Sequence, residues 1–442
     1  MRNLAPELKW NEIALCMLAS LLLLSPAGSN LILVFGGNYY PELGVIFIYL
    51  VSTAIYPGLG KKVLAVVRTP YVLLGFGFVF IAAFLGFVNN DVSPAEAYGI
   101  SRSFMACCIG FSVFRVYSRS GGKKTLSVIF ALATFTIIFS FLYNVAFLSA
   151  EPKRPYSLFA IVVISVFLTF RGSVFQKLIW MVFMFIISVH SGFRAYIGYS
   201  AVLALMMVFS TALDVIRIKS GRLVFSVSRL AQVATVSVVF IFGTPVFVAG
   251  AYQWIMQDES RYHQLIYKFE EQYGEYKDGN VDGKLDPRID MNNFIFSRFL
   301  DFILPNGFYN RSDYSIHSVW GTERISFDAS SPTRDGGFLF MSMSFGLLLS
   351  APLMLFMYFK ILVVCIKNGI RDSVVRILIS AVLTGYYFTS GAMFTVIDMA
   401  FYFGFALAAV TSVRPLAHFG NLGMIRNNER HRLHLGQLRS HA

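Results

Sequence analysis

Charge is what this 442-residue chain has least of: Asp, Glu, Lys and Arg make up 14% of it, against about 25% in an ordinary soluble protein. With 56% hydrophobic residues, a water-soluble fold is excluded and a polytopic membrane protein is expected. Cysteine is also scarce. Cys16, Cys107, Cys108 and Cys365 lie in or beside apolar runs and have no ligand spacing, which argues against a disulfide scaffold and against a zinc site. There is no nucleophile elbow and no dinucleotide fingerprint, and "SGGKKT" at Ser120 lacks the first glycine of a phosphate loop. Internal repeats, heptad runs and low-complexity tracts are absent as well.

What the chain does have is long apolar runs. They begin near Trp10, Leu43, Pro70, Tyr98, Thr125, Ser157, Leu178, Ala195, Leu230, Gly336, Val374 and Phe394, and each approaches the length that crosses about 30 Å of hydrocarbon. The expected fold is therefore an all-α polytopic membrane protein of about twelve transmembrane helices. Ser157 to Phe170 and Leu178 to His190 are near the lower length limit, so each reads as a short, re-entrant or broken span. The first run, Asn11 to Ser25, is followed by "SPAGS" in the manner of a signal peptide. Glu7 and Glu12 interrupt the basic leader such a peptide needs, and the segment is expected to stay as the first span.

Orientation follows from the basic residues. Lys61, Lys62 and Arg68, then Arg115, Arg119, Lys123 and Lys124, then Arg171 and Lys177, then Arg217, Lys219, Arg222 and Arg229, then Lys360, Lys367 and Arg371 fall in alternate connections. By the positive-inside rule these connections and both termini are cytoplasmic. The net charge of +13 then reflects topology and anionic lipid rather than nucleic acid. Residues 1–250 are read as spans one to nine, 251–335 as a large periplasmic loop, 336–413 as the last three spans and 414–442 as a basic cytoplasmic tail.

The large loop is the exception in a basic protein, because Tyr252 to Asp335 holds 14 acidic and 9 basic side chains. A structureless connection of that length would be unusual. "SRYHQLIYKFEEQYGEY" and "NNFIFSRFLDFIL" carry apolar residues at helical spacing, which predicts two or more helices over the mouth of the bundle. "DGNVDGKLDPRID" matches the opening positions of a calcium loop, but Ile289 stands where the bidentate Glu belongs. It reads as a weak calcium site or a polar turn. "NRS" at Asn310 is a glycosylation sequon by pattern only.

Candidate functional residues cluster near the outer face. In "SVHSGFRAYIGYS" one apolar run stops and another starts, and Arg194 stands at the seam. An arginine at membrane depth costs roughly 2.5–3.5 kcal/mol on insertion scales. It is either a snorkelling helix end or a residue that meets an anion, and guanidinium suits a diphosphate. His190 reads as packing or capping that turn. Arg102, in "YGISRSFMACC", sits at the outer end of the fourth span. Arg298 is placed on an amphipathic helix ending at Pro305. Arg334 and Asp335, in "SPTRDGGFLFMSMSFG", directly precede the tenth span. Asp335 is the best general-base candidate and also a candidate helix cap. His317, in "SDYSIHSVW", is the alternative base.

These parts, in this order, resemble the bacterial O-antigen polymerase and ligase superfamily of membrane glycosyltransferases. The resemblance rests on about twelve spans, the "SGFRA" seam, the large late loop and the span opening "DGGFLFMSMSFGLLLSAPL". It implies a GT-C-like fold and metal-independent, inverting transfer from polyprenyl-diphosphate sugars without a cofactor. It also implies that Arg194, with Arg298, Arg334 and Arg102, holds the diphosphate while Asp335 or His317 takes the proton. The ligase branch carries a "H-N" pair before the span after the loop, where this chain has "TRDGG", similar to the polymerase branch. The implied partners are lipid-linked donor and acceptor glycans, the bilayer, a chain-length regulator and a flippase. A ligase, a lipid-linked oligosaccharide transporter and a structural scaffold are the competing expectations.

Overall fold

The computed structural model describes residues 49–120, 123–147, 157–191, 194–219, 222–225, 299–309, 313–318, 321–326, 337–389, 397–413 and 416. After a helical stretch at 49–55, the elements are α1 (Pro57–Val67), α2 (Pro70–Asn89), α3 (Pro94–Ser120), α4 (Lys123–Phe147), α5 (Leu158–Arg171), α6 (Val174–Ser191) and α7 (Arg194–Val215). The hairpins β1 (Ile216–Lys219) with β2 (Arg222–Phe225) and β3 (Asp313–Ser318) with β4 (Gly321–Ser326) follow. The chain then continues through α8 (Gly337–Phe345), α9 (Leu347–Lys367), α10 (Ile370–Thr389) and α11 (Ile397–Val410). Four helices among the described residues are long and apolar enough to cross a membrane: Pro70–Asn89, Glu96–Ser118, Tyr196–Leu213 and Leu347–Lys367. This is a helical membrane protein.

Helix starts follow local chemistry. Pro57 and Pro70 occupy first-turn positions, where proline's missing N–H costs nothing. Ser93 and Glu96 form a reciprocal capping box before α3, at 2.9 and 3.3 Å, and Ser173 with Gln176 does the same before α6.

The short run read from Ser157 proves to be the axis of the bundle. α5 has 14 residues, about 21 Å of helix, and Leu158 through Ile164 are all at most 7% exposed. Short apolar helices of this length are commonly buried core helices, and here α4, α6, α7 and α11 pack around it. By contrast α2 and α9 turn large apolar side chains outward, Phe80 and Leu355 among them, as lipid-facing helices do.

α3 and α11 make the closest pair in the bundle. A methyl added at Gly110 would fall on the Phe401 carbonyl oxygen, and one added at Gly404 on that of Cys107. Small residues let two backbones approach, and in lipid such packing replaces the hydrophobic drive. Gly110→Ala is expected to lower stability by about 1–3 kcal/mol, read as a lower unfolding temperature in detergent.

One end of the bundle is tied by cations. Arg115 Nη2 donates to the Thr411 carbonyl at 3.1 Å and to its hydroxyl at 2.8 Å. Arg376, fully buried, donates to the Ala409 and Val410 carbonyls and to Asp372 at 2.5 Å. Asp372 also accepts the Leu416 N–H at 2.6 Å. Arg371 donates to Ser210 at 2.7 Å and to the Thr169 carbonyl at 2.8 Å, and Lys177 to Thr211 at 3.1 Å. These groups satisfy orphan carbonyls at helix C-termini, where the dipole also favours positive charge. The ends of α3, α5, α7 and α11 therefore meet the starts of α6 and α10 on one side. The basic connections that alternate along the sequence share that side.

Two connections contain strand. The basic turn after α7 is the β1–β2 hairpin, with Ile216 opposite Phe225. In the large loop, β3 and β4 pair from Asp313 opposite Ser326 to Ser318 opposite Gly321, a hairpin that the apolar spacing did not announce, while the helix expected at 260–276 lies outside the described residues. Of the amphipathic helix expected to end at Pro305, the described part, 299–304, forms turns and bends rather than helix, and the residues before it lie outside the described residues. Phe302 and Phe308 are fully buried there. The apolar spacing is real, but it serves a segment inserted among helices rather than a helix lying on them.

That insertion explains a broken span. α8 stops at Phe345 and α9 starts at Leu347, with Gly346 between them at φ +74. The freed backbone groups are satisfied by the inserted segment, since Leu347 N–H bonds the Phe302 carbonyl at 2.6 Å and Leu348 N–H that of Ile303 at 3.0 Å. Irregular backbone at membrane depth survives only where protein supplies such partners.

Candidate functional site

At the end of the bundle opposite the cation-tied one, α5, α7 and α11 begin and α10 finishes. Arg194 is the first residue of α7. The hairpin just below the seam is laced by Ser188, whose hydroxyl bonds Ser200 at 2.7 Å, the Met184 carbonyl at 2.7 Å and the Tyr196 carbonyl at 3.3 Å. This fixes the direction in which α7 leaves the turn. His190 packs its ring on Phe141 of α4, with centroids 5.5 Å apart.

Two residues beyond Arg194, Tyr196 is 3% exposed. It lies near the start of α5 at Leu158 and within electrostatic reach of Tyr386 and Asp398. Asp398 is in the first turn of α11 and is 4% exposed. Its carboxyl lies near the Met399 N–H and the Ser157 hydroxyl, neither of them in hydrogen-bond geometry. Tyr386 donates to Met399 Sδ at 3.2 Å and stands 6.1 Å, ring to ring, from Tyr199. Four helices thus bring two phenols and one acid together beneath the start of α7.

Sequence reading missed Asp398. Its signal was modest: an acid four residues into the last apolar run, at the outer end on the positive-inside reading. A carboxylate removed from water costs several kcal/mol unless compensated, so an enclosed acid at this place is a candidate for use. Asp398→Asn is expected to fold to wild-type membrane levels and to lower activity roughly tenfold, less than the roughly 10²- to 10⁴-fold that a direct general acid or base supplies. Ser157→Ala, which loses no hydrogen bond, is expected to leave product unchanged. Equal activity of all three proteins would make Asp398 a helix-start residue only.

The other predicted residues distribute as follows. Arg102 is half-buried on α3, two residues from Phe104, which packs on Phe345 at 5.0 Å. α3 packs on α11, α11 on α5 and α5 on α7. His317 is on β3, opposite Thr322. Arg298, Arg334, Asp335, the Asp278 to Asp290 segment and the tail after 416 lie outside the described residues. Among the described residues, no group of His, Cys, Asp or Glu could hold a metal ion.

The segment that carries β3 is nonetheless anchored to the bundle. Phe308 N–H bonds the Ala82 carbonyl at 2.8 Å, and Asn90 Nδ2 donates to the Asn306 and Phe308 carbonyls at 3.2 and 2.9 Å. Asn89 adds a third bond, 3.2 Å to Asn306. Tyr309 is buried four residues before β3 starts, so the hairpin is held close to the rim of the bundle.

No protein-family model, curated protein or solved structure matches this chain.

Proposed function

We propose that this protein is a membrane glycosyltransferase that joins polyprenyl-diphosphate-linked oligosaccharide repeat units en bloc at the periplasmic face of the bacterial inner membrane. The observation that carries the reading is the convergence at one end of the bundle: Arg194 opens α7 two residues before Tyr196, which lies within electrostatic reach of Tyr386 and the enclosed Asp398. The order of sequence parts supports it, as does the inserted segment that ties the polar loop to the same bundle.

In this reading the acceptor hydroxyl attacks the anomeric carbon of the growing glycan. The bond from that carbon to the diphosphate oxygen breaks, and its electron pair leaves with the diphosphate. Arg194 and the loop arginines Arg298 and Arg334 stabilise the charge that grows there, and Asp335 or His317 takes the proton. Asp398, enclosed under Tyr196, positions the start of α7. Two lipid-linked substrates held side by side make the attack effectively intramolecular.

A transporter of lipid-linked oligosaccharides is the second reading. It is favoured by two interrupted helices, at Tyr56 before α1 and at Gly346 between α8 and α9, because transporters bind substrate at broken helices. Complementation in a strain deleted for the gene separates the possibilities, with surface glycan read on a gel. A single repeat unit on the lipid core, extended to a ladder by the wild-type gene, supports the polymerase. Polymer accumulating on the polyprenyl carrier with a bare core identifies a ligase. Single lipid-linked units trapped in the inner leaflet identify a transporter.

A further inference from the structure

We propose that one face of the β3–β4 hairpin binds the sugar hydroxyls of the acceptor glycan, through Ser315, His317, Thr322 and Arg324. The choice of a glycan as occupant rests on the glycosyltransferase reading, whereas the surface itself follows from the strand register.

Successive residues of a strand alternate between faces, and residues directly opposite each other in the ladder share one. The pairs Asp313 with Ser326, Ser315 with Arg324 and His317 with Thr322 therefore occupy one face, and Tyr314 with Ile325, Ile316 with Glu323 and Ser318 with Gly321 the other. All six residues of the first face are hydrogen-bonding types. The second face holds the large apolar residues of both strands, Tyr314, Ile316 and Ile325. A two-stranded hairpin is marginally stable by itself in water. It needs cover on the face with the apolar residues, which leaves the polar face for a ligand.

The composition of that face selects the ligand's chemistry. Serine, threonine and neutral histidine both donate and accept, arginine only donates and an ionised aspartate only accepts. A sugar presents hydroxyls that do both, so this mixture matches it. Arg324 and Asp313 also offset each other's charge, which suits a neutral oligosaccharide better than a diphosphate or an anionic headgroup, whose sites concentrate cations. Along β3 the face runs about 14 Å from Asp313 to His317, longer than a single sugar ring. Arg324 is the diagonal neighbour of His317, about 7–8 Å away. The alternative base for the transfer thus shares its face with residues suited to hold the hydroxyl it would deprotonate.

The hairpin is also on the side of the bundle where the transfer is proposed. β3 begins four residues after the buried Tyr309, a reach of at most about 14 Å. Asn306 and Phe308 are tied to Asn90 at the end of α2, next to the start of α3 and away from the end of α3 where Arg115 meets Thr411. Arg194 opens α7 on that same side. A residue that holds the leaving diphosphate and a surface that holds the attacking hydroxyl have to share a side.

The test uses the full chain in detergent, titrated with the lipid-free oligosaccharide repeat unit released from the source strain's surface polysaccharide and read by calorimetry. Wild type is expected to bind it saturably. Arg324→Gln and Thr322→Val are each expected to weaken binding at least fivefold at an unchanged unfolding temperature, while Glu323→Gln, on the opposite face, stays within twofold of wild type. The proposal is overturned if the two polar-face variants bind as wild type does, if Glu323→Gln weakens binding as much as they do, or if inorganic pyrophosphate displaces the oligosaccharide, which would make this an anion site. Absence of oligosaccharide binding together with a restored glycan ladder in the complemented strain also overturns it and leaves the polymerase reading standing. Face-dependent binding in a protein whose deletion leaves glycan length unchanged would uphold the surface and remove the polymerase reading.

Discussion

Arg194→Ala is expected to abolish the glycan ladder at unchanged protein level in the membrane, with product falling roughly 10²- to 10³-fold, the cost of deleting one preorganised donor aimed at developing charge. The expectation rests on where the residue stands. Arg194 is the first residue of α7, and the hydroxyls of Ser188 and Ser200 tie the end of α6 to the start of α7. Helix N-termini themselves attract anions, and Arg194 adds a positive residue to that end of α7. Arg194→Lys should recover part of the activity, because an ammonium keeps the charge but cannot bind bidentately. Full activity of Arg194→Ala would reduce the residue to a helix end reaching for the headgroup region.

Much of this architecture was legible in the sequence, for physical reasons. Membrane helices must be apolar along their whole length, so their existence follows from composition, and α2, α3, α7 and α9 fall on the expected runs. The short run at Ser157 announced something unusual through its length alone. What the sequence did not reveal is lateral order. Whether α5 is central or peripheral depends on which neighbours surround it, and an all-apolar helix looks the same in both places.

The cations have a second use that the sequence did not announce. Arg115, Lys177 and Arg371 were expected to mark a membrane face, yet each also donates to a hydroxyl or carbonyl of a neighbouring helix. Basic residues near helix ends serve lipid orientation and helix capping at once, and one sequence cannot divide the two. Asp398 was invisible for a related reason. An acid at the start of an apolar run looks like ordinary helix punctuation until four helices are seen to close over it.

Gly307→Val is expected to unseat the inserted segment and give the largest loss of stability of any single change considered. Gly307 has φ +91, a conformation β-branched residues rarely adopt. The space is closed as well: a Cβ there would meet the Gly86 nitrogen and would lie 2.5 Å from the Leu85 carbonyl carbon and 2.6 Å from the Leu85 Cβ. Backbone strain of this kind costs about 1–3 kcal/mol, and overpacking adds a similar amount. Relief requires the segment to withdraw from α2, which breaks the Phe308 to Ala82 bond and those from Asn90, and frees the Phe302 and Ile303 carbonyls that complete the start of α9. The expected readout is a markedly lower unfolding temperature in detergent together with loss of product, because β3 and His317 hang from the same anchor. Asn90→Ala, which deletes only the side-chain bonds, should give a smaller fall in the same direction. If Gly307→Val unfolds at the wild-type temperature, the segment is not inserted as described, and the loop would have to be held over the bundle by other contacts.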